Sequence, residues 1–76
     1  MEFEKLKNII AKRFNVDVSS ITRDTQFISD LGADSLQMLQ LNIDICKEFD
    51  IELDSSVNSE ILTVADAYNA VMALLV

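Results

Sequence analysis

The sequence predicts an all-α fold: a small antiparallel helical bundle of three long helices plus one short helix, with a long first loop. Three observations predict it. Apolar residues recur at helical spacing in three separate segments. No proline and a single glycine interrupt the chain. Residues suited to helix starts stand ahead of the later two segments. With 76 residues there is room for one domain, 1–76, and one modest core. Cys46 is the sole cysteine, so no internal disulfide forms and packing alone must hold the fold.

In the first segment Phe3, Leu6, Ile9, Ile10 and Phe14 share one arc at 100° per residue, with Glu4, Lys5, Asn8 and Lys12 opposite. From Asn15 to Asp34 the pattern breaks, and Val16, Val18, Ile21, Phe27 and Leu31 stand among Asp, Ser, Thr and Asn, which favour turns. This predicts a long connection pinned to the core by apolar anchors, a kind of segment that is more often functional than accidental. The second long helix is predicted from Ser35 to Phe49. Its polar residues Gln37, Gln40, Asp44, Lys47 and Glu48 lie on one arc, and the rest is so widely apolar that the helix is expected to be central or to line a cavity. A short helical turn is expected near Ser56 to Ile61. The last helix opens at Thr63-Val64-Ala65-Asp66, where Thr63 can cap and Asp66 can complement the helix dipole.

Composition excludes several functions. Thirteen acidic residues against six basic ones give a net charge of −7, which argues against nucleic acid and anionic lipid and favours basic protein surfaces as partners. Residues 1–23 hold five of the six basic residues and three acids, so −9 remains on residues 24–76. Without histidine, no Ser-His-Asp or Cys-His nucleophile system can be assembled, and with one cysteine no ordinary zinc site can be built. The stretch Asp50-Ile51-Glu52-Leu53-Asp54 begins like a calcium loop but meets Ser55 and Ile61 where glycine and glutamate are required, so no metal site is expected. Absence of a signal-like start and of a long apolar run predicts a cytoplasmic protein without membrane insertion.

One site remains. A flexible segment containing Gly32 delivers the Ser35 hydroxyl to the first turn of the second long helix, where a phosphate ester would face unpaired N–H groups and the positive helix end. On physics alone, an ordinary helix cap is the preferred explanation of Ser35, since serine is common at caps.

The run Leu31-Gly32-Ala33-Asp34-Ser35-Leu36 resembles the bacterial fatty-acid-synthesis type of acyl carrier protein. The likeness extends to Phe27 ahead of Asp30-Leu31-Gly32, to Glu48-Phe49-Asp50 and to Thr63-Val64. It implies a non-enzymatic carrier in which Ser35 accepts 4'-phosphopantetheine from coenzyme A, through a separate phosphopantetheinyl transferase that docks on or is helped by Asp34. It implies that the arm carries acyl groups as thioesters to acyl-transferring and acyl-processing enzymes with basic surfaces, and that the carrier is a monomer.

The expected partner surface comprises Leu36, Gln37, Gln40, Ile43, Asp44, Lys47 and Glu48, the first and fourth by resemblance and the others as the polar arc beginning beside Ser35. Phe27, Leu39, Ile61, Tyr68 and Val71 are candidates to line an acyl pocket, each of them equally well explained as core packing. Gln37, Gln40, Cys46 and Lys47 stand where such carriers usually place acids. A carrier for a polyketide, aminoacyl or other specialised pathway, and a structural adaptor that is never loaded, are therefore the competing readings.

Overall fold

The computed structural model describes residues 2–53 and 60–75, and the structural statements below concern those residues. Helix α1 (Glu2–Phe14) has acids in its first turn and Lys12 and Arg13 in its last, an order that complements the helix dipole. Its apolar arc buries Leu6 and Ile10 completely. It ends where Asn15 turns left-handed, φ 56°, and Val16 N–H returns to the Ala11 carbonyl at 3.0 Å. Asparagine is one of the few side chains that enters this region at small cost.

Segment 15–34 has more regular structure than its sequence predicts. Val18–Ser20 form a 3-10 turn capped by Asp17, whose carboxylate accepts from Ser19 N–H at 3.0 Å. Helix α2 (Phe27–Leu31) follows; Asp30 accepts from Gln26 N–H at 2.7 Å, tying down the turn that starts it. The expectation of an irregular connection is thus corrected. Five residues are too few to display a helical period, but they are enough when Asp30 holds one end and Gly32 the other.

The loop is stitched to the start of the last helix. Phe27 N–H donates to the Leu62 carbonyl at 3.1 Å, Val64 N–H to Thr25 at 3.0 Å and Ala65 N–H to Arg23 at 2.9 Å. Gln26 and Thr63 pair as a single antiparallel bridge. These bonds satisfy backbone groups that would otherwise lie unpaired against the core.

Helix α3 (Ser35–Phe49) has the predicted bounds, and helix α4 (Val64–Leu75) begins as predicted. The short helix expected over Ser56 to Ile61 falls largely outside the described residues; Glu60 and Ile61, which are described, are not helical. One core joins Leu6 and Ile10 of α1, Phe27 of α2, Met38, Leu41 and Ile45 of α3, Val64, Ala67 and Val71 of α4, and Ile21, Ala33 and Ile61 from the connections. Met38 is buried within it, and Phe14 tilts against Phe27 at 6.2 Å between ring centres.

Helix α4 opens on a reciprocal cap. Thr63 Oγ1 accepts from Asp66 N–H at 3.2 Å, and Asp66 Oδ2 accepts from the N–H groups of Leu62 and Thr63, both at 3.1 Å. The bonds from Leu62 and Thr63 hold the Asp66 carboxyl below the usual carboxylate range. Its stabilising contribution is therefore complete above the unfolded value of about 4 and is lost as pH falls through the lower folded value. Asp66→Asn, which cannot titrate, is expected to flatten the loss of stability below about pH 4. Urea midpoints followed from neutral pH into acid check this: an acid limb as steep as in the parent would show that Asp66 does not contribute to it.

Candidate attachment site

The site is built at the junction of α2 and α3. Gly32 adopts φ 66°, and its N–H and that of Ala33 turn back to the carbonyls of Ile28 and Phe27 at 3.2 and 2.9 Å. A Cβ at Gly32 would meet open space, so the demand for glycine here is conformational, not steric. Ala33 is buried and anchors the turn, which leaves Asp34 and Ser35 on the surface.

Asp34 is the N-cap of α3. Its Oδ1 accepts from Gln37 N–H at 2.8 Å, while its own N–H donates to Gln37 Oε1 at 3.2 Å. This reciprocal arrangement corrects the account of Ser35 as the helix cap. Capping is performed by Asp34 and Gln37, so the Ser35 hydroxyl, exposed in the first turn, is not needed to start the helix. It projects where the first N–H groups of α3 lack intrahelical partners and the helix dipole is positive, which suits a phosphodiester. The residues present fit the group.

The family described as the phosphopantetheine attachment site matches residues 4–71. The chain belongs to the acyl carrier protein family. It is 42% identical over 69 residues to an acyl carrier protein of Picosynechococcus sp., covering 91% of this chain and 85% of that one. To an acyl carrier protein of Clostridium acetobutylicum it is 40% identical over 73 residues, covering 96% and 95%. A solved structure from Mycobacterium tuberculosis, described as an acyl carrier protein, superposes with a TM-score of 0.89 at 32% identity, covering 96% of this chain and 97% of that one. Acyl carrier proteins are carriers and not enzymes, and the group they hold is phosphopantetheine.

The surface of this carrier beside Ser35 differs from the sequence expectation. The polar arc of α3 is not one open face. Gln37 is engaged in the cap and Gln40 is half-buried. Asp44 receives both Nε and Nη2 of Arg13 from α1, at 2.6 and 2.9 Å, and Glu48 lies 3.5 Å from Lys5. Only Lys47 stands exposed without a carboxylate partner among the described residues. The acids of the arc are turned toward α1 because their 100° steps place them on the flank where α1 packs.

What faces outward is apolar: Leu36 is 61%, Leu39 44% and Ile43 47% exposed. Leu39 is therefore corrected as a pocket residue, since it lies about 160° around the helix from buried Leu41. Phe27, Ile61 and Val71 do meet in the core. Tyr68 is half-buried and meets Phe3 edge to face, with ring centres 5.2 Å apart. Cys46 is half-buried, its thiol donating to buried Asn42 Oδ1 at 3.4 Å. Sequence reasoning missed the pairing roles of Lys5 and Arg13 and the exposed apolar side chains of Ile28 and Leu62. No local pattern could have revealed the pairs, because Arg13 and Asp44 are 31 residues apart.

Proposed function

We propose that Ser35 is the residue that carries phosphopantetheine, and that the chain delivers acyl groups to enzymes of fatty acid biosynthesis. The observation that carries this reading is a serine hydroxyl left free beside a helix start already capped by Asp34 and Gln37, within Leu31-Gly32-Ala33-Asp34-Ser35-Leu36. When attached, the arm supplies a terminal thiol that holds the acyl group as a thioester. The chain's own contribution is to present the hydroxyl, to place the phosphate against the positive end of α3 and to leave the thioester intact. With no histidine and no nucleophile system, it cannot process what it carries.

Asp34 has a second task in this reading. Its carboxylate, fixed by the cap one residue before the hydroxyl, is positioned to be read by the transferase. The fatty-acid branch is supported by the hexapeptide around Ser35 and by relatives named simply acyl carrier protein. A single domain is supported by the one continuous core, and a cytoplasmic monomer is the form this reading requires. None of the described helices is long and apolar enough to cross a membrane. The packed positions of Phe27 and Val71 mean that a fatty chain would have to part the core to be sheltered there.

Incubation with coenzyme A, magnesium and a broadly acting phosphopantetheinyl transferase should add one phosphopantetheine to the intact mass, located by peptide mapping at Ser35. With acyl-coenzyme A in its place, the added acyl group should be released by hydroxylamine, as a thioester is. No mass gain, or a gain mapped to another serine, would overturn the reading.

A further inference from the structure

Helix α3 buries one polar side chain that the carrier reading does not use. Asn42 is 7% exposed, in a helix whose other buried residues, Met38, Leu41 and Ile45, are apolar. Burying an amide is unfavourable unless its hydrogen bonds are made. Among the described residues, Asn42 Oδ1 accepts from the Cys46 thiol at 3.4 Å, and its Nδ2 donates to none of them. A thiol is a weak donor, so both ends of this amide retain capacity for a stronger partner.

The place of Asn42 on the helix is as telling as its burial. Seven residues beyond Ser35 is about 700° of helix, so Asn42 lies within about 20° of the line through that serine and about 10 Å along the axis. Cys46 continues the same line one turn further on. Beside this pair opens a cleft of about 450 Å³, whose apolar wall is Ile51 and Leu53 from the connection after α3. Phe27 and Val71 are sealed within the core, whereas this cleft is reached without parting any helices. A group rooted at Ser35 and laid along α3 passes Leu39 and arrives at Asn42.

We propose that Asn42 selects the cargo. The cleft takes acyl groups that bear a hydroxyl or keto oxygen close to the thioester; Asn42 Nδ2 donates to that oxygen while Ile51 and Leu53 cover the aliphatic remainder. The proposal rests on the carrier reading above and deepens it by naming the chemistry of the acyl group. A saturated chain covers the same apolar wall but shuts water away from the amide and gives it no partner. Cargoes of equal length are therefore told apart by the oxygen, since apolar contact alone discriminates weakly and an unpaired buried amide discriminates strongly.

The test loads the full chain from 3-hydroxyoctanoyl-coenzyme A and, separately, from octanoyl-coenzyme A, with a broadly acting phosphopantetheinyl transferase. Cleavage of each thioester by hydroxylamine is followed by intact mass and taken relative to the same thioester on free pantetheine. On the parent the hydroxyacyl form should be cleaved about fivefold more slowly than the octanoyl form, the effect of one hydrogen bond. The side-chain amide resonances of Asn42 should shift with the hydroxyacyl cargo and not with the octanoyl cargo. Asn42→Leu nearly conserves volume and should bring the two rates together while leaving the urea midpoint no lower than in the parent. Equal rates on the parent, or an Asn42→Leu protein that keeps the difference, would overturn the proposal and leave Asn42 a purely structural partner of Cys46. Should Asn42→Leu fail to fold, the two cargoes on the parent and the Asn42 resonances decide alone. In all these outcomes the parent is loaded; failure of the parent to load from either coenzyme A ester would instead strike the carrier reading.

Discussion

Ser35→Ala is expected to abolish the gain of phosphopantetheine completely while shifting stability by less than about 0.5 kcal/mol. The two halves of that result have separate causes. Loading is lost because alanine offers no hydroxyl to esterify. Stability is kept because Ser35 sits exposed in the first turn of α3, where the capping bonds belong to Asp34 and Gln37 and where alanine is a good helix former. Asp34→Ala supplies the contrast: removing the cap should cost about 1 kcal/mol with the Ser35 hydroxyl untouched. Intact mass and urea denaturation, measured on both variants, separate chemistry from scaffold. A Ser35→Ala protein that still gains mass would place the attachment elsewhere, and one that unfolds would show that the hydroxyl is structural after all.

Phe27→Ala is expected to be the most damaging single truncation, destabilising the fold by about 3–5 kcal/mol. Phe27 is 1% exposed and packs against Phe14. Its backbone also links three parts of the site: its N–H donates to Leu62, and its carbonyl accepts from Ala33, the residue that precedes Asp34. A domain of this size has stability near the low end of about 5–15 kcal/mol, so the variant should be partly unfolded at room temperature. Its Ser35 should load slowly, in proportion to the folded fraction. Ile28→Ala, one residue along and 66% exposed, is the control and should lie within about 0.5 kcal/mol of the parent. Comparable urea midpoints for the two variants would mean that α2 is not anchored through Phe27.

Helices α1 and α3 were legible because each is long, periodic and punctuated. Asp34 announces the start of α3, and both helices close on a Phe-Asx pair, Phe14-Asn15 and Phe49-Asp50, whose second residue turns left-handed at φ 56° and 55°. Helix α2 was not legible, since Phe27–Leu31 spans less than two turns and its apolar residues fit an anchored loop equally well. The proposed attachment serine was legible from its neighbours in sequence. The surface around it was not, for two physical reasons. Leucine and isoleucine carry the same apolar signature whether a helix turns them inward or outward, so Leu39 read as lining when it is outward-facing, and only resemblance placed Leu36 and Ile43 on the surface. The charge state of the α3 face depends on Arg13 and Lys5, which only the packing of α1 against α3 brings near Asp44 and Glu48.

The reciprocal cap of Asp34 and Gln37 separates the label from the fabric of the protein. Because the bonds that start α3 do not pass through the Ser35 oxygen, esterifying that oxygen breaks none of them. Bare and armed forms can then share one scaffold, and so can laden forms whose cargo stays outside the core, so that a visiting enzyme meets the same surface each time. What tells one visit from the next is then written only in the cargo at the end of the arm, so a succession of enzymes can work on a single carrier without any of them having to reshape it.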